Sequence, residues 1–326
     1  MGSNRKKLLI PDTMVKAGWE VLRRRDDVEA VKYAPSMPTP AFHALLEDAA
    51  GVALSLTPFR GPELAAAPRL EVVTRLGVGY DLVDVPALTI RRIPMMVVGT
   101  ANSVTVAEQA MYFMMTLAKR GPAMEGFVRQ GRWADKFIDR PVELGGRTLL
   151  VVGFGRIGTR IARRCLAMEM MVLVYDPYVA AETIRDAGCE AVADLDAAIP
   201  RADFVTLHCP KTAETSPLFD ARRLALMKPT AYLVNTARGG IVDEAALHAA
   251  LTAGQLAGAG LDVFVEEPVP PGHPLLALPN VAVSPHCAGG TIEAGDRSAV
   301  NAVRNLLSVL DGTPIREHVI NPEVLG

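Results

Sequence analysis

Three polar residues with complementary chemistry follow three apolar segments in the last third of the chain. Arg238 follows YLVNTA, Glu267 ends GLDVFVEE, and His286 follows VAVSP. The arginine fork can bind a carboxylate through two parallel hydrogen bonds. Histidine can take up or release a proton near neutral pH, and a bonded carboxylate would orient its ring and stabilise the imidazolium. The set indicates proton transfer on a carboxylate-bearing substrate, as in the interconversion of a 2-hydroxy acid and its 2-oxo acid by hydride transfer.

A glycine-rich motif, VVGFGRIG, follows an apolar segment and opens a helical pattern. Glycines at this spacing allow a tight turn, close approach of a pyrophosphate and packing of the helix on the strand. Asp176 follows the next apolar segment, where it could accept hydrogen bonds from the adenine ribose hydroxyls and repel a 2′-phosphate. The pattern predicts a dinucleotide site that favours NAD over NADP. The motif residues assigned to it are Gly153, Gly155, Arg156, Ile157 and Gly158.

Parallel sheets would position these groups, because ligands bind beyond the carboxyl ends of parallel strands. Apolar runs alternate with helical patterns, which predicts an α/β fold. Helices are predicted over 104–120, 160–167 and 293–310, and the more polar stretch 121–146 is predicted to be an extended arm that contacts a second subunit. The predicted strands are 7–10, 51–56, 70–75, 95–98, 148–152, 171–175, 204–207, 232–235, 260–264 and 281–284.

Length and charge narrow the class of protein. The chain has 326 residues, of which 50% are hydrophobic, and a net charge of −2. We expect two domains, with neither nucleic acid nor a membrane as partner. The four cysteines show no CxxC spacing, so we expect no metal site and no disulfide framework. No apolar run is long enough for a signal peptide or a membrane span, and the expected compartment is the cytoplasm.

With these motifs in view, the chain resembles the D-isomer-specific 2-hydroxyacid dehydrogenases over almost its whole length. That family includes D-3-phosphoglycerate dehydrogenase and glyoxylate/hydroxypyruvate reductase. The motifs that carry the resemblance are RLGVGYDLVD (75–84), NSVTVAEQA (102–110), VVGFGRIG (151–158), NTARGGIVDE (235–244), LDVFVEEP (261–268) and SPHCAGGT (284–291).

The resemblance implies two doubly wound parallel-sheet domains with a cleft between them. The substrate domain would be flavodoxin-like and comprise 1–101 plus 291–326, and the NAD-binding Rossmann domain would comprise 102–290. It also implies a homodimer joined through the cofactor domains. The chain leaves no room after residue 326 for the C-terminal regulatory domain of some phosphoglycerate dehydrogenases, so serine feedback is not expected.

The resemblance also assigns roles to individual residues. Arg238 would bind the substrate carboxylate and carbonyl, and His286 would be the acid/base. Glu266 and Glu267 are adjacent, and Glu267 is chosen as the partner of the histidine because it directly precedes proline, as in the family pattern. Gly77, Val78, Gly79 and Asn102 would contact the substrate, and Cys209, Pro210, Thr236 and Asp262 would lie along the cofactor.

Several alternatives stay open. Reduction of glyoxylate or hydroxypyruvate is favoured, whereas Arg60 could bind a second acidic group, as in a D-3-phosphoglycerate or sulfolactate-type dehydrogenase. The D configuration follows from the resemblance alone. An NAD(H)-sensing corepressor of the same family is an alternative of another class. Glu267 argues against formate chemistry, phosphite oxidation is harder to exclude, and Cys287, where the family usually has an aliphatic residue, is expected only to pack.

Overall fold

The computed structural model describes residues 5–138 and 140–326. The chain divides into two compact units, one running to Asn102 and resuming over Gly289–Gly326, the other spanning Ser103–Ala288. The boundary between the units after Asn102 lies one residue later than expected. The boundary after Ala288 lies two residues earlier than expected. Of the helices described, none combines the length and apolar character that crossing a membrane requires.

Short strands and helices alternate along both units. The strands are β1 (Lys6–Pro11), β2 (Val28–Tyr33), β3 (Ala49–Leu54), β4 (Val72–Arg75), β5 (Met95–Met96), β6 (Thr148–Val152), β7 (Met171–Tyr175), β8 (Glu190–Ala191), β9 (Phe204–Leu207), β10 (Tyr232–Asn235), β11 (Gly258–Leu261) and β12 (Val281–Val283). The α-helices are α1 (Lys16–Leu22), α2 (Thr39–Leu46), α3 (Gly61–Ala65), α4 (Val85–Ile90), α5 (Ser103–Lys119), α6 (Gly121–Arg129), α7 (Gly158–Ala167), α8 (Ala181–Asp186), α9 (Leu195–Ala198), α10 (Ala221–Leu224), α11 (Glu244–Thr252) and α12 (Ile292–Leu310). Single 3-10 turns cover Trp133–Phe137, Ile199–Arg201, Pro274–Ala277, Arg316–His318 and Pro322–Leu325.

The unit that contains the chain's end has a five-stranded parallel sheet in the order β2-β1-β3-β4-β5. All six residues of β3 are buried, as expected for a parallel strand covered on both faces. Helix α12 packs against this sheet, where Leu306 lies beside Gly51, at which a side chain would collide with its neighbours. The strand order is that of the flavodoxin-like doubly wound fold.

The other unit has a seven-stranded parallel sheet in the order β12-β11-β10-β9-β6-β7-β8. Alternate residues of β6 enter different apolar clusters: Leu149 and Val151 contribute to one, and Leu150 and Val152 to the other. Both faces of the sheet are therefore covered. The order of connection reverses between β6 and β9, which is where such sheets bind their ligands. The predicted fold class is confirmed by the two parallel sheets with interleaved helices.

Some predicted elements differ from those observed. The strand predicted over 260–264 ends at Leu261, and β2 and β8 were not predicted. The prediction of an extended arm was wrong at its start, because α6 occupies Gly121–Arg129. Pro122 suits the first turn of a helix, and Glu125 bonds to Arg129 one turn later at 2.7 Å.

Candidate active site

Arg238, Glu267 and His286 emerge at one edge of the seven-stranded sheet. They follow β10, β11 and β12, which are consecutive neighbours in that sheet. Parallel strands place their carboxyl ends at the same edge, so topology alone brings these residues into one region of this unit.

The imidazole of His286 pairs with the carboxylate of Glu267. Its Nδ1 lies 2.7 Å from Oε2 of Glu267, and the other carboxylate oxygen accepts the backbone N–H of Phe264 at 2.9 Å. Both oxygens are engaged, so the carboxylate is held in one orientation. Glu266 and Glu267 are both exposed, and Glu267 is the one whose carboxylate contacts His286.

Asp262 holds the loop that carries the histidine. Its side chain is 1% exposed, and its oxygens accept the backbone N–H groups of Cys287 and Ala288, both at 2.9 Å. Its backbone carbonyl accepts the N–H of His286 at 2.8 Å. His286 has a φ of 50°, a left-handed conformation that is uncommon for a residue other than glycine and must be imposed by its surroundings. The expectation that Asp262 also lies along the cofactor stays a prediction.

The loop of Arg238 is positioned by its own neighbours. The buried Asn235 accepts the N–H of Ala237 at 3.0 Å and donates to the carbonyl of Arg238 at 3.0 Å. At Gly239 a Cβ atom would stand 1.8 Å from the carbonyl oxygen of Phe264. The arginine loop thus packs directly on the backbone that binds Glu267, which requires glycine at this position.

A second acidic residue holds that backbone from another side. Glu244, the first residue of α11, accepts the N–H of Val265 at 2.6 Å, and its other oxygen lies 3.2 Å from Nε2 of His273. The His273 ring packs edge-on against Phe264. Glu244 was not singled out from the sequence, although it closes the quoted NTARGGIVDE motif.

The glycine-rich turn has the shape needed to cradle a pyrophosphate. Gly153 has a φ of 96°, and a Cβ atom there would lie 2.8 Å from the backbone nitrogen of Cys209. At Gly158 a Cβ atom would lie 1.9 Å from the carbonyl oxygen of Gly153, whereas nothing stands within 4 Å of one at Gly155. The outer glycines permit tight packing and the central one faces open space, as the dinucleotide turn requires. Ile157 precedes the first turn of α7, and Arg156 beside it is exposed.

The remaining cofactor residues lie at neighbouring strand ends. Asp176 follows β7, and its carboxylate accepts the N–H groups of Phe154 at 2.7 Å and Tyr178 at 2.9 Å, which places it beside the glycine turn. Thr236 follows β10, and its buried hydroxyl has no hydrogen-bond partner among the described residues. An orphaned buried hydroxyl is a group that a ligand could satisfy.

The segment after β9 passes beside the same turn. Burial raises the pKa of the Cys209 thiol to about 11, which keeps it protonated near neutral pH. Pro210 accepts the hydroxyl of Thr215 on its carbonyl at 2.7 Å. Burial also lowers the pKa of His208 to about 3, so this imidazole is neutral. These residues line the turn without supplying a charged group.

The residues predicted to bind substrate lie in the other unit. Gly77, Val78 and Gly79 follow β4, and the Arg75 guanidinium donates to the carbonyl of Gly79 at 2.8 Å. Nothing stands within 4 Å of a Cβ atom at Gly77. Asn102 has a buried side-chain oxygen without a hydrogen-bond partner in the described ranges.

Polar side chains of α12 hold the segment that leads to Asn102. Arg297 donates to the carbonyl of Ala101 at 2.9 Å, and Asn301 donates to that of Val98 at 3.2 Å. Asn305, which is fully buried, donates to the carbonyl of Val97 at 2.9 Å. In residues 5–138 and 140–326, no cluster of three or more side chains suited to binding a metal occurs.

Comparison with known proteins identifies the family. Residues 111–288 match the model of the D-isomer specific 2-hydroxyacid dehydrogenase, NAD binding domain. A D-3-phosphoglycerate dehydrogenase of Synechocystis is 37% identical over 98% of this chain and 57% of its own length. The chain spans about half the length of several such relatives.

Solved structures show the same architecture. An NADPH-dependent glyoxylate/hydroxypyruvate reductase of Sinorhizobium meliloti, in complex with NADP and malonate, is 32% identical, with a TM-score of 0.83 over 98% of both chains. A D-lactate dehydrogenase of Aquifex aeolicus, complexed with NAD and lactic acid, is 28% identical, with a TM-score of 0.86 over 97% of this chain and 99% of its own. The predicted NAD-binding domain is confirmed, and the chain belongs to the D-isomer specific 2-hydroxyacid dehydrogenase family.

Proposed function

We propose that this chain is an NAD(H)-dependent oxidoreductase that interconverts a small D-2-hydroxy acid and its 2-oxo acid, with glyoxylate and hydroxypyruvate as the favoured 2-oxo acids. The observation that carries the proposal is the 2.7 Å contact between His286 and Glu267 at the strand end next to that of Arg238. A base oriented by a carboxylate, beside an arginine, suits proton transfer on a carboxylate-bearing substrate.

His286 is the proposed acid/base. Because Glu267 binds Nδ1, the ring keeps Nε2 for the substrate. NAD, when bound, supplies the group that accepts or donates the hydride at C2. In oxidation, Nε2 takes the hydroxyl proton as the C2 hydrogen leaves with its electron pair, and the O–H electrons form the carbonyl. In reduction, the imidazolium returns this proton to the carbonyl oxygen, and Glu267 stabilises its positive charge.

Arg238 is the proposed ligand of the substrate carboxylate and carbonyl. A planar fork can hold both oxygens in one plane, which fixes the orientation of C2. The backbone N–H groups of Gly77, Val78 and Gly79 and the side chain of Asn102 are proposed to complete substrate binding. The open space at Gly77 and the unpartnered oxygen of Asn102 support this role.

The residues of the glycine turn fit NAD. Gly153, Gly155 and Gly158 would admit the pyrophosphate, and Arg156 and Ile157 would present their backbone at the start of α7. Asp176 would accept the adenine ribose hydroxyls, and its charge favours NAD over NADP. Cys209, Pro210, Thr236 and Asp262 would line the remainder of the cofactor.

We further propose a cytoplasmic homodimer joined through the cofactor unit. Large apolar side chains are exposed after α5, including Val128, Trp133, Phe137 and Ile138, each more than half exposed in a single chain. Several large apolar side chains exposed in one short segment are typical of a subunit contact. All four cysteines are free, which suits a reducing compartment.

A D-3-phosphoglycerate or sulfolactate-type dehydrogenase is the second candidate. Its support is the sequence similarity to D-3-phosphoglycerate dehydrogenases and the exposed Arg60 at the start of α3, which could bind a second acidic group. Without such a contact, the smaller substrates are favoured.

The experiment is oxidation of NADH and of NADPH at neutral pH with glyoxylate, hydroxypyruvate, pyruvate, oxaloacetate, 3-sulfopyruvate and 3-phosphohydroxypyruvate. Fastest turnover of glyoxylate or hydroxypyruvate with NADH is the expected result. Preference for a phosphorylated or sulfonated compound that is lost in Arg60→Ala would favour the second candidate. Tight NADH binding without turnover of any compound would contradict the enzyme and favour a redox-sensing binding protein.

A further inference from the structure

The side chains of Ser284 and Gln109 are linked to Asp262 by hydrogen bonds. The hydroxyl of Ser284 donates to Oδ1 of Asp262 at 2.5 Å, and the Ser284 oxygen accepts the side-chain amide of Gln109 at 3.2 Å. Gln109 belongs to α5 and Ser284 directly follows β12, so the chain of contacts runs from a helix to the histidine loop.

The direction of these hydrogen bonds matters. A serine hydroxyl has one proton and can donate it to only one acceptor. Because the Asp262 carboxylate can only accept, the serine proton points to Asp262, and the serine oxygen accepts the Gln109 amide. The aspartate oxygen that receives it also accepts the N–H of Cys287. The serine therefore donates to Oδ1 of Asp262, the same oxygen that binds the N–H of Cys287 in the loop.

Three successive N–H groups donate to Asp262, and that of His286 also donates to the carbonyl of Ser284 at 3.1 Å. Those of His286, Cys287 and Ala288 are bound respectively by its backbone carbonyl, its Oδ1 and its Oδ2. This arrangement accompanies the left-handed backbone of His286, whose φ is 50°. A rotation of the carboxylate would release part of this loop, and the imidazole direction toward Glu267 would no longer be fixed.

We propose that Ser284 and Gln109 are positioning residues that set the orientation and tautomer of the His286 imidazole through Asp262. The kinetic part of this inference rests on the proposed function, in which His286 transfers the substrate proton. In this proposal both residues act through Asp262 and the loop, without touching the reacting atoms.

Four variants of the full chain test the proposal. Ser284→Ala removes the hydroxyl, and Ser284→Thr keeps it as the matched control. Gln109→Leu removes the donor, and Gln109→Glu replaces it with an acceptor that competes for the serine proton. Each is assayed with the 2-oxo acid that the wild type turns over, and NADH affinity is measured by fluorescence titration.

We expect Ser284→Ala and Gln109→Glu to lower kcat by about 10- to 100-fold, since small displacements of a reacting group have effects of this size. Gln109→Leu should have a smaller effect in the same direction. KM and NADH affinity should change little in these variants. Ser284→Thr, which keeps the hydroxyl, should have a kcat close to that of the wild type. A merely structural role would instead lower the melting temperature and NADH affinity together, and that result would overturn the proposal.

A readout independent of turnover comes from ¹⁵N NMR of the histidine side chains, with the His286 signal assigned through His286→Gln. The wild type should show the tautomer protonated at Nδ1, and Ser284→Ala should show a mixture of tautomers. Failure of the proposed function would abolish wild-type turnover but leave this signal intact. An unchanged His286 signal in Ser284→Ala and Gln109→Glu would overturn the positioning role even if the wild type is active.

Discussion

Nδ1 of His286 lies 2.7 Å from Oε2 of Glu267, and the second oxygen of that carboxylate is bound to the N–H of Phe264. The carboxylate is thus oriented by a backbone hydrogen bond that does not involve the imidazole. Since Gly239 packs on the carbonyl of the same Phe264, one residue connects the arginine loop with the Glu267–His286 pair.

The histidine and its partner can be tested with a neighbouring control. We expect His286→Gln to lower turnover by roughly 10²–10⁴-fold, the usual contribution of an acid/base group, while NADH still binds. Glu267→Gln should also lower turnover, because it removes the charge that stabilises the imidazolium. Glu266→Gln, at an exposed carboxylate, should stay close to the wild type. Steady-state kinetics with equal losses in Glu266→Gln and Glu267→Gln would refute the pairing.

Arg238 can be tested by a change that keeps its charge. Lysine cannot make two parallel hydrogen bonds, and loss of one bond between charged groups costs about 1.5–3 kcal/mol. We therefore expect Arg238→Lys to lower kcat/KM by about 10- to 100-fold. The NADH dissociation constant serves as the control and should not change. Wild-type kcat and KM in this variant would exclude the two-bond contact.

Two substitutions of Asp176 test how its charge and its hydrogen bonds contribute to cofactor preference. Asp176→Asn removes the charge that repels a 2′-phosphate and keeps one acceptor oxygen, which can bind the N–H of Phe154 or that of Tyr178 but not both. We expect the ratio of kcat/KM for NADH to that for NADPH to fall in this variant. Asp176→Ala should lower the ratio too and also weaken NADH binding. If neither substitution alters the ratio, Asp176 does not set the cofactor preference.

The buried His208 predicts a pH dependence of stability. Burial lowers its folded pKa to about 3 from 6.5, so between these values the unfolded chain binds a proton that the folded chain does not. The free energy of unfolding should consequently fall as pH falls below 6.5, by up to about 1.4 kcal/mol per pH unit from this group.

The control for that slope is His208→Gln, which can still bond to Thr206. Denaturant unfolding of both proteins is best compared between pH 6.5 and about 5.5, above the range in which most carboxyl groups titrate. The wild type should lose stability more steeply than the variant. Parallel curves would mean that His208 takes up its proton in the folded state as readily as in the unfolded chain.

Local patterns in the sequence determined much of this protein. Several strand ends, such as Arg75, Val152 and Asn235, could be predicted because apolar runs are short and continuous in covered parallel sheets. Arg238, Glu267 and His286 could be named because each lies a few residues after such a run. The spacing of Gly153, Gly155 and Gly158 reflects a local steric requirement, so it can also be recognised in the sequence. The helix over Gly121–Arg129 was missed because its two glycines and its proline are residues typical of a loop.

Only the tertiary structure decided which groups meet. Gln109 and Ser284 are 175 positions apart, and both lay in quoted motifs without an assigned role. Asp262, expected beside the cofactor, turns its carboxylate toward the backbone of Cys287 and Ala288. The left-handed backbone of His286 likewise has no local signal. Such contacts depend on strand order and on which buried N–H groups need an acceptor, and neither is a property of neighbouring residues in the chain.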